Sequence, residues 1–371
     1  MTRLRDPNLH WIVGSRGFEE CVPVWANLVS SLDAPVFQGP QWARVWLEHL
    51  GRDAEPMILV REGPEPYVWP LVVTRVGPYR ILRSLGEGVS DYLGPLCADP
   101  RRAVIDAMDS LKRAPSIFGH VDLKSLLLPA DALAALLAEL RGATHRVYER
   151  CPFIRTEGTF STYLEGQKKK FRANWKRTVR RTESHGKISF GRTPFDESVF
   201  AELESVERES WKWTEGTAYL SHAGRRAFLR AVLGHAGIGG EIWTCRVEDD
   251  LAAFAVTFRN RTTRHYYLPS FKSRYSDVGT YLMGRIAEAT FDSELEELDL
   301  LQGDEAYKMT WATGERAVHE VVAPGRGPLG WPALLAARAR WRLAASPRMR
   351  SLRSRIARTY RPRLEPAVDT D

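Results

Sequence analysis

The stretch LDLLQGDEAYKMTW, residues 298–311, places Asp304, Glu305, Tyr307 and Lys308 just past a strand-like run that ends at a glycine. Side chains at the carboxyl end of a strand often face a cleft. There a tyrosine can protonate a departing thiolate, and a lysine can offset a developing negative charge. The same spacing also describes a solvated helix start, with Asp304 and Glu305 at the favourable end of the helix dipole. Upstream, YYLPSFKSRYSDVGTYLMGRIAEA (266–289) reads as strand, loop and helix, with Lys272, Arg274, Ser276, Gly279 and Thr280 at the join. Unpaired amides at a helix start bind phosphate, and a glycine there permits close approach. The plainer reading is an ordinary turn with a glycine at the bend. Neither GxGxxG nor GxxxxGK[ST] occurs, so dinucleotide and P-loop sites lack their motif.

A third feature is the run KKKFRANWKRTVRR (168–181), with eight basic residues and no acid. Phe171, Trp175 and Val179 recur every four residues and form an inward stripe on a helix, which leaves the cations as a ridge. Arg172, Lys176 and Arg180 share one side. Such a ridge is a solvated face, a grip for the phosphates of a small ligand, or an RNA contact. In ESWKWTEGTA (209–218), Trp211 and Trp213 form an apolar or sugar-stacking wall, or fill a core. Asp91 and Tyr92 either reach the same cleft or sit in an ordinary loop. The nine histidines show no HExxH spacing, and no GxSxG is present, so no metal and no serine hydrolase are expected.

These groups need elements to hold them. Residues 18–50 read as helical, followed by the two strands MILVREG and YVWPLVVTRVG. Helices over 100–113 and 130–141 flank the strand VDLKSLLL, giving an α/β first lobe. From about residue 150 the pattern restarts. A basic helix over 168–184 is followed by the strand KISFGRT, a long helix over 195–213 and another over 221–235. Three meander strands span 241–271, then come a helix from Thr280 to about Asp292 and the strand ELDLLQ. Boundaries fall near 150 and 325, giving lobes 1–150 and 151–325 and an arginine-rich tail, 326–371.

The 371 residues, 44% hydrophobic and 10% aromatic, are enough for large cores. The net charge of +7 belongs to the tail: residues 326–363 hold eleven arginines and no acid, and residues 1–325 sum to about −1. The net charge is therefore a weak argument for nucleic-acid binding by the whole molecule. The tail reads as a basic amphipathic helix broken near Pro347, suited to an anionic membrane surface or to a solvated extension. Cys21, Cys97, Cys151 and Cys245 form no CxxC pair. With neither a signal-like start nor a spanning segment, a soluble cytoplasmic protein is expected, with peripheral contact at the inner face of a membrane through the tail.

Taken together, RANWKRTVRRTESHG, ESWKWTEGTA, the 266–289 stretch and LQGDEAYKMTW resemble the BcsL/CelD-type acyltransferases of the GNAT superfamily, bacterial proteins associated with cellulose and exopolysaccharide synthesis. FQGPQWARVWLEHLG, WPLVV and LGEGVSDYLGPL extend the resemblance over roughly residues 18–320. It implies an α/β fold of mixed sheets with two tandem GNAT-like lobes, as in Fem-type transferases, the second one active. Acyl-CoA would lie between parallel strands that splay apart, around Arg264–Phe271 and Glu297–Leu301. The backbone at Tyr267 and Leu268 would hold the pantetheine, and Arg274, Ser276, Gly279 and Thr280 the pyrophosphate. The family's Ser-Pro-Gly is Asp277-Val278-Gly279 here, and an acid beside a pyrophosphate is unfavourable unless its side chain caps the helix instead. The family's Tyr-Lys pair falls on Tyr307-Lys308, with Asp304 in the same cluster. The implied reaction is acyl-CoA-dependent acylation of an amine, without a metal, with Arg172, Lys176, Arg180, Trp211, Asp91 and Tyr92 at the substrates. Two alternatives are an aminoacyl-tRNA-dependent Fem-like transferase and a non-catalytic scaffold in polysaccharide assembly.

Overall fold

The computed structural model describes residues 8–76, 79–111, 119–325 and 330–345. The first half runs β1 (Leu9–Val13), α1 (Gly14–Ser31), a 3-10 turn (Val36–Gln38), α2 (Pro40–His49), β2 (Glu55–Arg61), β3 (Tyr67–Val76), β4 (Tyr79–Ser84), α3 (Pro100–Leu111), β5 (His120–Leu126), α4 (Ala130–Glu139) and β6 (Thr144–Arg155). The second half begins with α5 (Phe160–Gly166), α6 (Lys169–Glu183), β7 (Ile188–Thr193), α7 (Glu197–Arg208), α8 (Trp211–Thr214) and α9 (Ala223–Gly234). It continues with β8 (Glu241–Val247), β9 (Asp250–Arg259), β10 (Thr263–Phe271), α10 (Val278–Phe291), β11 (Glu297–Asp299), α11 (Ala306–Trp311), β12 (Gly314–Pro324) and α12 (Gly330–Ala345).

Among the described residues all twelve strands form one sheet, in the order β1-β2-β3-β4-β5-β12-β6-β11-β10-β9-β8-β7. Exchanging each strand with the one six places away reverses this order onto itself, so the two halves share one topology. Each half is an antiparallel meander with a parallel pair at its inner end, β4–β5 and β10–β11. The sixth strands are exchanged: β6 pairs with β11 of the second half, and β12 pairs with β5 of the first. β6 and β12 also pair with each other along the middle of the sheet. Residue 150 lies within β6.

The halves share a hydrophobic core as well. Trp42 of α2 is fully buried, and its ring centroid lies 5.0 Å from Phe228, 5.3 Å from Phe258 and 5.6 Å from Tyr267, all in the second half. Such edge-on pairs add about 0.5–1.5 kcal/mol each beyond simple burial. At the outer end of β10, Asp33 after α1 clamps the β9–β10 turn. Its carboxylate accepts from the Arg261 amide (2.8 Å) and from the Thr262 amide and hydroxyl (3.2 and 2.7 Å). Burial opposes ionisation, but the hydrogen bonds from Thr262 and Arg261 outweigh it and hold the carboxyl below its usual range. Its stabilisation is therefore complete above the ordinary carboxylate pKa and disappears as pH falls through the lowered value. Asp33→Asn is expected to cost about 1–3 kcal/mol at pH 7 and much less near pH 3, read as the difference between urea midpoints at the two pH values. Equal losses at both would remove the charge from the explanation.

Three readings from sequence are corrected. Residues 18–50 are two helices and a 3-10 turn, because Pro35 and Gly39 interrupt the run. The helix expected over 195–213 ends at Arg208, and a separate turn of helix carries the tryptophans. The strand ELDLLQ ends at Asp299, since Leu301 is left-handed (φ 60°). The inward stripe of α6 is as expected: Phe171 and Trp175 pack on Trp311, with centroids 4.9 and 5.4 Å away. Trp175 lies so close to α10 that a Cβ at Gly284 would sit 2.3 Å from its ring. Of the tail, α12 packs Leu334 against Val322, and the remainder, including Pro347, lies outside the described residues. No described helix is long and apolar enough to cross a membrane.

Candidate active site

The two parallel pairs fix where a ligand can enter. Each holds for three residues only, Ile81–Arg83 with His120–Asp122 and Thr263–His265 with Glu297–Asp299. In the second half Asp299 ends the pairing. Its Oδ1 accepts from the Leu301 amide at 2.8 Å, which pins Leu301 in its left-handed turn. Its Oδ2 accepts from the Tyr92 hydroxyl (2.7 Å) and from Arg316 (3.2 Å). The chain then leaves β10 and follows β6, with Leu300 and Gly303 donating to Pro152 and Arg150. β10 itself continues to Phe271 on β9 alone.

The first half diverges in the same way, but its own main chain fills the gap. Leu93 bridges Leu126 in parallel, donating to the Ser125 carbonyl at 2.8 Å and accepting from Leu127 at 2.9 Å, while Leu96 bridges Val68. Residues 93–96 thus lie between β3 and β5 where β4 has ended. The first splay is closed by peptide groups; the second is not.

A bulge in β10 shapes the open splay. Tyr266 pairs with Thr257 and Leu268 with Val256, so Tyr267 is the extra residue. Tyr266 packs under α10, whereas Tyr267 and Leu268 both turn to the core shared with Trp42. Tyr267 reaches a pocket of about 260 Å³ between the halves, lined also by Ser90, Asp91, Tyr148, Tyr219 and Gln302. The Tyr267 hydroxyl donates to the Val89 carbonyl (2.9 Å) and lies 3.1 Å from the Tyr219 hydroxyl, whose proton serves that contact. Burial raises both phenols, so both stay protonated. Glu207, fully buried, fixes Tyr219 by accepting from the amides of Tyr219 (3.0 Å) and Leu220 (2.5 Å).

Gln302 joins the halves at this pocket. Its amide donates to Asp91 Oδ1 (3.2 Å), its side chain to the Asp91 carbonyl and Ser125 Oγ, and its carbonyl accepts from Lys308 Nζ (2.7 Å). Burial pushes the Asp91 carboxyl up to about 7, against the lowering effects of the Gln302 amide and Lys308. Lys308 is buried and pairs with Glu305 at 3.1 Å. Lys212 of α8 donates to the Pro269 carbonyl of β10 at 2.6 Å, and burial lowers its pKa. A carboxyl titrating near neutrality therefore lines this pocket, with the Lys308 ammonium bonded to the Gln302 carbonyl beside it and Lys212 bonded to the edge of β10. A larger open groove of about 690 Å³ lies at the Asp33 clamp, at the other end of β10, where the carboxylate is already satisfied.

Residues 169–309, which include this splay, match the model of the acetyltransferase (GNAT) domain family. Residues 169–309 form an acyltransferase domain of the GNAT type. Solved structures extend the likeness to the whole fold. FemX is 11% identical, with a TM-score of 0.60 over 81% of this chain and 95% of that one. The C-terminal domain of a putative lysylphosphatidylglycerol synthetase from Agrobacterium fabrum is 13% identical, with a TM-score of 0.54 over 86% and 95%. A conserved protein of unknown function from Bacteroides thetaiotaomicron is 13% identical, with a TM-score of 0.52 over 82% and 97%. No curated protein sequence matches the chain.

Of the residues expected from sequence, Tyr267 and Asp91 line the pocket between the halves, Lys308 is bonded to the Gln302 carbonyl beside it, and Leu268 follows the bulge in β10. Tyr307 is 40% exposed, yet its surroundings raise its phenol above the ordinary value, chiefly by burial. Asp304 is exposed on the loop before α11. Tyr92 is a correction: it is 1% exposed and holds Asp299, and it does not line the pocket. Arg172 is another, since its guanidinium caps α5 through the carbonyls of Glu165 and Gln167, both at 2.7 Å. Lys176 and Arg180 are exposed on the ridge.

The expected diphosphate loop is changed in detail. Arg274 is engaged by Glu209 and Asp250, and Ser276 is exposed. A Cβ at Gly279 would lie 2.5 Å from the Phe271 ring, so the glycine admits that ring. Asp277 is left-handed (φ 67°), makes no cap bond and faces Arg181 at 3.3 Å. α10 thus starts without a side-chain cap, with Thr280 in its first turn. Trp211 and Trp213 are 46% and 41% exposed, not core. Sequence reasoning missed Tyr219, Glu207, Lys212 and Gln302. Lys212 between two tryptophans was the one legible signal.

Proposed function

We propose that the protein transfers an acyl group from a coenzyme A thioester to a primary amine. The observation that carries this reading is the asymmetry of the two splays: one is filled by residues 93–96, and the other opens beside Asp91 and Lys308. The donor's pantetheine lies along β10 past the bulge. The uncapped amides of Gly279 and Thr280, with Arg181 beside them, receive the diphosphate. The acceptor's ammonium enters the pocket between the halves and gives a proton to Asp91. The free amine attacks the thioester carbonyl, and a C–N bond forms as the carbonyl electrons move to oxygen. Lys308 offsets that charge. The C–S bond then breaks, the thiolate takes its proton from Tyr307, and the amide nitrogen releases its second proton through water to restore the phenol. A place near cellulose or other envelope polysaccharide synthesis rests on the sequence resemblance alone.

The test is a thermal-shift series with free CoA, acetyl-CoA and bulk tRNA. A species held at a hundred times its Kd stabilises by about 2.7 kcal/mol, a shift of several degrees. A shift with both CoA species is expected. A shift with tRNA alone would replace the donor by an aminoacyl-tRNA, and no shift with any of them would favour a scaffold. In a turnover assay Tyr307→Phe is expected to slow the enzyme about a hundredfold with little change in melting temperature. Full activity in that variant would remove the phenol from the mechanism.

A further inference from the structure

The pocket between the halves carries more hydrogen-bonding capacity than its own residues use. Part of that capacity is spent. Tyr267 donates to the Val89 carbonyl, Tyr219 to Tyr267, and the Gln302 side chain to the Asp91 carbonyl and Ser125 Oγ. Other groups lining the same cavity are only half used by the described residues. Asp91 accepts from the Gln302 amide through Oδ1, and its Oδ2 is unbonded. Glu87 Oε1 is held by Lys124 and, at 3.4 Å, by Arg83, while Oε2 is buried and bonded to nothing. Ser90 Oγ accepts from Trp42 at 2.9 Å and Ser125 Oγ from Gln302 at 3.0 Å, and neither hydroxyl proton has an acceptor. Tyr148, on the exchanged strand β6, makes no hydrogen bond. A buried oxygen without a donor is costly, and a ligand that supplies the donor recovers that cost.

We infer that the acceptor is a hydroxylated amine: its amine sits at Asp91, and hydroxyls of the same compact unit donate to Glu87 and accept from Ser90, Ser125 and Tyr148. This rests on the acyl-transfer reading above and adds the chemical class of the acceptor. An ammonium only donates and a carboxylate only accepts, whereas a hydroxyl does both, which is what a cavity with unused donors and unused acceptors requires. A second cation is disfavoured besides, because Lys124 and Arg83 already neutralise Glu87. The cavity, about 260 Å³, lies just below the ~300 Å³ at which ligand pockets commonly begin, so it takes one small unit of the acceptor. A site that hydrogen-bonds hydroxyls rejects the analogue lacking them much more strongly than an apolar pocket rejects a missing methylene.

The experiment is a ligand-observed NMR titration of the full chain at about pH 8, where Asp91 is ionised. The probes are glucosamine and glucamine, their hydroxyl-free counterparts cyclohexylamine and hexylamine, and 1,5-diaminopentane. The two hydroxylated amines are expected to bind more than tenfold tighter than the other three, since several hydrogen bonds separate them. Tyr148→Phe removes a hydroxyl that bonds nothing in the protein, so its fold is not at stake. It should weaken the hydroxylated amines by about threefold to tenfold and leave cyclohexylamine unchanged. Glu87→Gln, which also loosens Lys124 and Arg83, is the second arm and should act in the same direction. Equal affinity for hydroxylated and apolar amines, tightest binding of the diamine, or no binding of any amine overturns the inference. So does a hydroxyl preference that neither variant reduces. Free CoA, titrated in parallel, reports on the donor reading by itself. If CoA binds and the amine pattern fails, that reading stands alone. If hydroxylated amines bind and CoA does not, the donor reading falls and the pocket assignment stands; if nothing binds, both fall.

Discussion

Asp91→Asn is expected to lower kcat/KM by a hundredfold or more while making the folded protein harder to unfold at pH 8. The carboxyl stands at about 7 in the folded chain because burial disfavours its charge. In the unfolded chain it titrates near the ordinary value of about 3.9. Below about pH 4 it is protonated in both states and costs nothing. Between about pH 4 and 7 the unfolded state loses its proton first, so folding weakens as pH rises. Above about pH 7 the penalty is complete, on the order of 2–4 kcal/mol. Asparagine can still accept the Gln302 amide through its oxygen and carries no charge, so it removes the penalty and the base together. The wild-type rate should rise with pH through a midpoint near 7, and the variant's slow residual rate should not. Two measurements decide this: the pH–rate profile, and urea midpoints at pH 4 and pH 8. A variant that is no more stable at pH 8 than the wild type, or that keeps the same profile, would leave Asp91 a purely structural group.

Lys308→Met should be nearly as damaging, by roughly a hundredfold to a thousandfold, because the developing oxyanion loses its nearest cation in a water-poor cleft. It carries a second signature. Lys308 lowers the Asp91 pKa in the folded protein, so without the ammonium that carboxyl titrates higher. The residual activity of Lys308→Met should therefore show its midpoint shifted upward from the wild-type value. A simple loss of packing would reduce the rate without moving the midpoint. Activity within tenfold of wild type and an unmoved midpoint would reject both roles at once.

The second half was the more legible part of the chain, for physical reasons. β8, β9 and β10 alternate with short polar turns at Glu248–Asp250 and Asn260–Thr262, and such local signals survive without tertiary context. The inward stripe of α6 was readable for the same reason. β11 was overextended because its end is set by Asp299 bonding the Leu301 amide, a contact supported from Tyr92 more than two hundred residues away in sequence. The exchange of β6 and β12 leaves no local trace either, since both strands would look the same in an unexchanged sheet. The inter-half pocket draws on Asp91, Tyr219, Tyr267 and Gln302, and no spacing announces that these four meet. Trp211 and Trp213 were ambiguous because an indole is equally at home in a core and at a wet rim. The arginine-rich composition of the tail was plain, but most of that segment lies outside the described residues.

The exchanged strands also set a timetable for synthesis. The first half can build its meander as soon as it leaves the ribosome, yet the inner edge of β5 waits for a partner made of residues 314–324. Until residues 314–324 have been translated, the nascent chain carries an unpaired Val- and Leu-bearing edge, the kind of surface that invites chaperones or premature association. Closure of the sheet thus waits until the whole second half has been made. Truncation from the carboxyl end, even well short of the cleft, deprives the opposite half of its final strand.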